Sequence, residues 1–578
     1  MKIINSIENN SFIFPTNYLP PCFKNNELIN GLDDIFARYE NIEEILKENF
    51  DTKKKTGKYV FKTTQNSIYD TTKGTEPIHF YISKPTVGIR TLSVANPLVL
   101  VPMHKYIIEN REKLLSEQSE SNKFFFASSH FYCENDGIKI WYDYDSVEYE
   151  ISKISKGFYQ NNMTNNLIKK IKISSGKFYC LSVDISHFYN NIYTHMISRN
   201  AVNMDCVKIL ENLDTFNRCL NFNETKGILI GPYTSSLFSE LILSKIDREI
   251  IKFLEAKNYD IAYDRYCDDY SFFCDSKEQL ENNLLPFIEQ ELSRYKFDIN
   301  YSKCEIIEFP FTSDGFAIKE FTNDFIMKFE NDSYDDMTKI ELIINSINLL
   351  SKRKYYYVNY FLESILNLDF EKIGNDDEIE ILIDYLFSNM LKNDLNSKRT
   401  INLIMKIFGI RDIDKKIIIE KWIARVSKIT SHKNHTVVIW LLYLINYYKI
   451  SSSYIEKFVL SCLRKNELSD ILIFEYIYAN DKAYEWKDIM LKYLNDIDKE
   501  ISDQYNSTKA VGSYLTKYWL LFYTDNVRWH FNKYAYFRNT ILEKTDFDYT
   551  SKLTNGKRLN LFYIMAEKKI NLFSMEDM

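Results

Sequence analysis

Glycine and proline are scarce in this chain, at 14 and 10 of 578 residues, and no proline follows Pro310. Only Gly374, Gly409, Gly512 and Gly556 lie beyond residue 330. These two residue types end helices and set turns, so their near-absence excludes frequent breaks and predicts uninterrupted helices in the C-terminal part. Paired cysteines are missing as well. The nine present (Cys22, Cys133, Cys180, Cys206, Cys219, Cys267, Cys274, Cys304 and Cys462) include no CxxC pair and no disulfide or zinc spacing, which predicts a reducing, cytoplasmic setting. The chain does not open on a basic segment followed by an apolar run, and its longest apolar run, "TVVIWLLYLI" at 436–445, is about half a membrane span, so neither secretion nor membrane insertion is expected. An excess of positive charge is lacking too. A net charge of −7 does not advertise nucleic-acid binding, although a local basic groove can exist in an acidic protein.

What is present is a large foldable chain. With 45% hydrophobic and 26% charged residues it can bury extensive cores, enough for about three to four domain-sized units. From about residue 320 onward, segments such as "ELIINSINLL", "IEILIDYLFSNML", "TINLIMKIFG" and "KKIIIEKWIARV" carry apolar residues at helical i, i+3, i+4 spacing between short polar turns. They predict stacked helices, as a degenerate α-solenoid or an irregular bundle, because no strict repeat period is visible. The aromatic segment at 517–537 can stack single-stranded bases, but helix packing is its simpler use.

The first 310 residues read as mixed α and β. "KFYCLSVDIS" (177–186) is β-prone and ends at an aspartate, "YTSSLFSELILSKIDREIIKFLEA" is helical after Gly231 and Pro232, and "DIAYDRYCDDYSFFC" reads as a hairpin. That hairpin sets Asp268 and Asp269 side by side among β-formers. Adjacent carboxylates in apolar surroundings repel each other and lose hydration, and a divalent cation relieves both costs. Magnesium, an oxygen-seeking ion that keeps several waters, is the natural candidate, and a pair of such ions serves phosphoryl transfer. A solvated turn is the plain alternative.

Five segments in order carry a family likeness. "YCDD" (266–269) resembles motif C of reverse transcriptases, "VDISHFYNNIYTH" (183–195) motif A, "KGILIGPYTSSLFSELIL" (226–243) motif B, "FDINYSKCEIIEFPF" (297–311) motif D, and "KPTVGIRTLSVANP" (84–97) the fingers segment with its triphosphate-binding arginine. The motif A wording, the "EFPF" after motif D and the long helical region resemble more narrowly the abortive-infection (Abi) reverse transcriptases of bacterial phage defence, the family of the AbiK, AbiA and phage P2-type enzymes. Leu229 and Ile230 stand where templated enzymes carry Pro-Gln, a departure that bears on template handling.

The resemblance implies an α+β reverse-transcriptase-like palm and fingers followed by an all-α, HEAT-like helical repeat domain in place of a thumb. The expected division is residues 1–110 for an N-terminal segment and fingers, 111–320 for fingers and palm, and 321–578 for the helices. Asp184 and Asp268 are expected to ligate two Mg2+ ions, with Mn2+ as the alternative, helped by the Ile185 carbonyl and by Asp269 as a weaker partner. Tyr189 takes the steric-gate place that selects deoxynucleotides. Arg90 and Lys84 are expected on the triphosphate. Gly231 is expected to let the backbone approach the nucleotide, and Lys303 to protonate departing pyrophosphate. The implied activity is DNA synthesis from deoxynucleoside triphosphates, without a template and primed on a protein tyrosine. The single-stranded product would stay covalently attached, RNA is a further partner, and the chain would form a homo-trimer or hexamer away from membranes. Tyr59 and Tyr69, in the lysine-rich stretch before the fingers, are the priming candidates, read as loop residues. A templated enzyme copying a dedicated non-coding RNA, and a non-catalytic scaffold or nuclease toxin using the helices, are the competing readings.

Overall fold

The computed structural model describes residues 11–575 apart from 54–55, 62–73, 85–87, 122–129, 135–136, 142–169, 200, 202, 312–313, 331–333, 354, 372, 374, 429–434, 505–512 and 532–559. Helices α1 (Asn26–Phe36) and α2 (Ile42–Asn49) lead into a small hairpin of β1 (Phe50–Thr52) and β2 (Tyr59–Phe61). A second hairpin joins β3 (Ile78–Ser83) to β4 (Ile89–Val94). Helix α3 (Pro97–Glu109) starts on an Asn96 cap with proline in its first turn, where a missing N–H costs nothing. Then come α4 (Arg111–Ser121) and a third hairpin, β5 (His130–Glu134) with β6 (Gly137–Trp141).

The central sheet follows. It is built from β7 (Tyr179–Asp184), β8 (Ala262–Tyr266), β9 (Asp269–Cys274) and β10 (Glu305–Glu308), in the order β10-β7-β9-β8 with every neighbouring pair antiparallel. Between β7 and β8 lie α5 (Val207–Leu220) and the long α6 (Tyr233–Lys257), which ends on a left-handed Asn258 cap. Helix α7 (Leu285–Arg294) precedes β10. Leu181, Val183, Phe272 and Phe273 are buried in the sheet, which is why these strands read as apolar runs ending in acid.

The remainder is helical, as the missing prolines predict. Helices α8 (Asp314–Phe329), α9 (Asp336–Arg353), α10 (Tyr355–Ile365), α11 (Asp376–Lys392), α12 (Ser397–Ile410), α13 (Lys415–Val426), α14 (His435–Tyr447), α15 (Ser453–Cys462), α16 (Glu467–Ala479), α17 (Lys487–Gln504), α18 (Trp519–Thr524) and α19 (Asn560–Glu567) follow one another. They pack in two rows. Helices α10, α12, α14 and α16 touch in succession, and in the other row α9 packs on α11 and α13 on α15. Trp422 of α13 stacks on Phe387 of α11 at 4.3 Å between ring centres, closing the second row. Of the aromatic segment at 517–537, Trp519, Phe522, Tyr523 and Trp529 are buried, so in the described part helix packing uses these rings. Residues 572–573 return to the N-terminal segment: Phe573 bridges Phe23, and the Lys24 amide donates to the Leu572 carbonyl. Among the described residues no helix is long and apolar enough to cross a membrane, and the cysteines other than Cys133 are free thiols.

Candidate active site

Asp184 is the last residue of β7 and Asp269 the first of β9, and the antiparallel register sets them directly opposite each other. Asp268 lies in the two-residue turn that joins β8 to β9, where Tyr266 pairs with Asp269. The preceding Cys267 takes a left-handed backbone, φ +52°, which a side chain tolerates poorly. The paired carboxylates of "YCDD" therefore stand at a strand end against a third carboxylate from the neighbouring strand, so the hairpin expected from sequence is present.

Motif D closes the other side. Ile185 bridges Ile299, and the Ser186 amide donates to the Asp298 carbonyl at 2.8 Å. The Asn300 side chain donates to Asp184 Oδ1 at 2.8 Å while its backbone amide donates to the Asp184 carbonyl, also at 2.8 Å. Lys303 Nζ donates to Asp184 Oδ2 at 2.8 Å. Asp184 thus has both oxygens engaged and is largely buried.

Crowding of like charges shows in the acidities. Loss of hydration first, with the Asp184 charge behind it, lifts the Asp268 carboxyl above the usual carboxylate range against the pull of its own backbone amide, Lys303 and Arg90. At Asp269, which opens onto solvent at the strand end, partial loss of hydration and then the charges of Asp268 and Asp184 push the carboxyl up to about 7. Lys303 answers them. Partial burial acts to lower its ammonium value, but the hydrogen bond to Asp184 and the three carboxylate charges outweigh it and hold the value above the ordinary one.

Arg90 lies on β4, exposed, opposite Ile82, and near enough for its charge to act on Asp268. Lys84 sits at the end of the same hairpin, its amide donating to the Gly88 carbonyl. Tyr189 packs beside Cys267 and Asp268 and next to the Ser236 and Ser239 hydroxyls of α6, and burial raises its phenol well above the usual value. Gly231 lies against β4. It holds φ +138°, and a Cβ there would meet the Ser93 carbonyl oxygen at 2.6 Å, so the close approach its missing side chain permits is that of β4. Leu229 is buried and the Ile230 carbonyl accepts from the Ser93 amide at 2.8 Å, so of the two motif B residues that depart from Pro-Gln one is in the core and the other is bonded to β4.

Of the priming candidates, Tyr59 falls outside this cluster. Tyr59, expected in a loop, stands in β2: its amide donates to Asn212 and its ring packs on Phe50, Tyr106 and Phe216, because Tyr59, Val60 and Phe61 follow the polar lysine segment as a strand paired with β1. Tyr69 lies outside the described residues.

Sequence reasoning missed the support beneath the turn. Arg265 of β8 is fully buried and donates to both oxygens of Glu240 and of Asp247, and also to the Cys267 carbonyl at 3.0 Å. Its guanidinium therefore ties helix α6 to the strained residue next to Asp268. An arginine inside an apolar strand, with two acids seven residues apart on the preceding helix, was the available signal.

The donor set is all oxygen at its open face, which suits a magnesium-like ion, and the raised carboxyl pKa values of Asp268 and Asp269 mark a place where a cation lowers the energy. Among the described residues no three His, Cys, Asp or Glu side chains converge as a ready-made cage, and Lys303 supplies part of the positive charge. The residues fit the ion in kind, with Lys303 having to yield Asp184 Oδ2.

Residues 143–335 match the family model described as reverse transcriptase (RNA-dependent DNA polymerase). Among curated proteins none matches the sequence. Among solved structures, the apo telomerase of Candida tropicalis truncated from its C-terminal domain is similar, at 14% identity and a TM-score of 0.27, over 50% of this chain and 56% of that one. The telomerase of Candida albicans in complex with a TWJ fragment of telomeric RNA is similar at 9% identity and a TM-score of 0.28, over 71% of this chain and 70% of that one. The central part of the chain is a reverse-transcriptase-like polymerase domain, of the nucleotidyltransferase class.

Proposed function

We propose that this protein is a divalent-metal-dependent DNA polymerase of the abortive-infection kind, adding deoxynucleotides without a template, starting from a tyrosine of its own chain, and acting in the cytoplasm in defence against phage. The observation that carries the polymerase reading is the opposition of Asp184 and Asp269 across β7 and β9, with Asp268 in the adjoining turn and Lys303 and Arg90 beside them. Asp184 and Asp268, with the Ile185 carbonyl and Asp269, would hold two Mg2+ ions, which when bound supply Lewis acidity to phosphoryl transfer; Mn2+ is the alternative. Arg90 and Lys84 bind the triphosphate, Arg90 as a planar fork and Lys84 as a point charge. Lys303 carries a proton that can pass to the departing pyrophosphate. Tyr189 closes the nucleotide site against a ribose 2′-hydroxyl.

Primer-independent incorporation of labelled deoxynucleotides is the test. In Asp268→Asn one charge is lost at constant shape, and incorporation is expected to fall by about two orders of magnitude or more with the fold intact. Near-normal incorporation by folded Asp268→Asn protein refutes the assignment. In the same assay Tyr189→Ala is expected to raise ribonucleotide use relative to deoxynucleotide use, and an unchanged ratio removes Tyr189 from sugar selection.

Two features support untemplated synthesis. Leu229 is buried and Ile230 bonds to β4, and a helical array, proposed to be HEAT-like, follows the palm where a duplex-gripping thumb is expected. The first hydroxyl then comes from a tyrosine, with Tyr59 and Tyr69 the candidates singled out, and the chains assemble as a homo-trimer or hexamer. Single-stranded DNA made from deoxynucleotides alone is expected to co-migrate with denatured protein and to be released by protease. DNA that separates from undigested, denatured protein refutes protein priming.

A further inference from the structure

Among the described residues the β3–β4 hairpin that carries Arg90 has two strands, so the outer edge of β3 has no strand beside it. In this molecule the helical region covers that edge residue by residue. The Asn466 side chain donates to the His79 carbonyl at 2.8 Å, the Thr436 hydroxyl donates to the Tyr81 carbonyl at 3.0 Å, and the Ser83 amide donates to Asp394 Oδ1 at 2.7 Å. The strand residues are spaced by two, as one edge of a strand requires. The three partners come from three separate places: the cap of α16, the first turn of α14 and the turn before α12. All three are buried. The inward residues of the strand, Ile78, Phe80 and Ile82, are fully buried, and the His435 ring lies 5.3 Å from that of Tyr81.

The other edge of the hairpin is held as well. The Ser93 amide of β4 donates to the Ile230 carbonyl, the Ser93 hydroxyl bonds the His79 ring at 2.9 Å, and Gly231 lets the Ser93 carbonyl come close. The hairpin is therefore pinned between the helical rows and motif B, with Arg90 on the strand so held. An isolated two-stranded hairpin is marginal in water, so its position depends on what grips its edges.

We propose that Asn466 and Thr436, with Asp394, are positioning residues for nucleotide binding: by occupying the outer edge of β3, the helical region sets Arg90 against the triphosphate, making the helices part of the nucleotide site. This rests on the reading of Arg90 as a triphosphate contact. A guanidinium fork gains most when its backbone is fixed in advance, because less freedom is lost on binding.

Equilibrium binding of dTTP with Mg2+ to the full chain tests it, in wild type, Arg90→Ala, the pair Thr436→Val with Asn466→Ser, and the triple variant. Valine keeps the shape of threonine, and serine preserves the helix cap while being too short to reach His79. With two neutral hydrogen bonds removed, dTTP affinity is expected to weaken by roughly five- to tenfold. Amide hydrogen exchange over residues 78–83 should quicken, and the pair should add nothing once Arg90 is alanine. Unchanged affinity in the pair while Arg90→Ala is weakened overturns the proposal alone. Affinity unaltered by Arg90→Ala overturns the reading of Arg90 and the proposal with it. An equal loss from the pair with and without Arg90 shows general destabilisation and overturns the positioning role.

Discussion

Gly231 and Cys267 both have positive φ, yet only one of them is glycine. At Gly231 the reason is space: the Ser93 carbonyl occupies the volume a Cβ would take. At Cys267 the side chain remains and the strain is balanced by the Arg265 guanidinium on its carbonyl, which leaves Asp268 in the turn facing Asp184. The motif residues thus depend on partners that no motif names. Gly231→Ala is expected to destabilise the fold by about 1–3 kcal/mol, from the left-handed backbone and the contact with β4 together. It should also weaken dTTP binding, because motif B and the Arg90 hairpin share that contact. Urea unfolding with a parallel binding measurement checks both, and an alanine variant as stable as wild type would show that β4 retreats without cost.

Strands β7, β8 and β9 and helix α6 were legible because each is long, strongly patterned and ends at a chemically marked residue. Asp184 closes an apolar strand, the Asp268 turn interrupts another, and α6 follows a Gly-Pro start signal. What the sequence hid was pairing across distance. Nothing local says that Asn300 holds Asp184, which is 116 residues earlier in the chain, or that Arg265 serves Glu240 and Asp247, since a hydrogen bond between elements leaves no periodic trace. Tyr59 misled for a related reason. The polar residues around it match loop composition, and its place in β2 is decided by aromatic packing against Phe50, Tyr106 and Phe216. Helix rows were predictable in kind from i, i+3, i+4 spacing, but not the bonds that three single polar residues, Asp394, Thr436 and Asn466, make to β3.

Across the whole molecule, the polymerase half and the helical half are joined through buried polar contacts as well as apolar ones. Besides the three bonds to β3, Lys398 of α12 donates to the Thr16 carbonyl, Trp440 of α14 to the Tyr18 carbonyl, and the Asn96 side chain that caps α3 donates to the Tyr514 carbonyl. The Glu76 amide donates to the Leu515 carbonyl, and the C-terminal residues pair with Phe23 and Lys24. Removing the helices would therefore leave backbone groups of β3 and of the N-terminal segment without partners, and each buried group that loses one costs about 1–3 kcal/mol. It would also bare an unpaired strand edge beside Phe80 and Ile82, a template for association between chains. A fragment comprising residues 1–312 is therefore expected to be recovered as aggregate and to bind no dTTP under conditions in which the full chain is expected to stay dispersed. Size-exclusion chromatography and dTTP binding on the two proteins are the measurements. A monodisperse fragment that binds dTTP as tightly as the full chain would mean that the hairpin holds its shape unaided and that the helices are an appendage to the polymerase, not a wall of its nucleotide site.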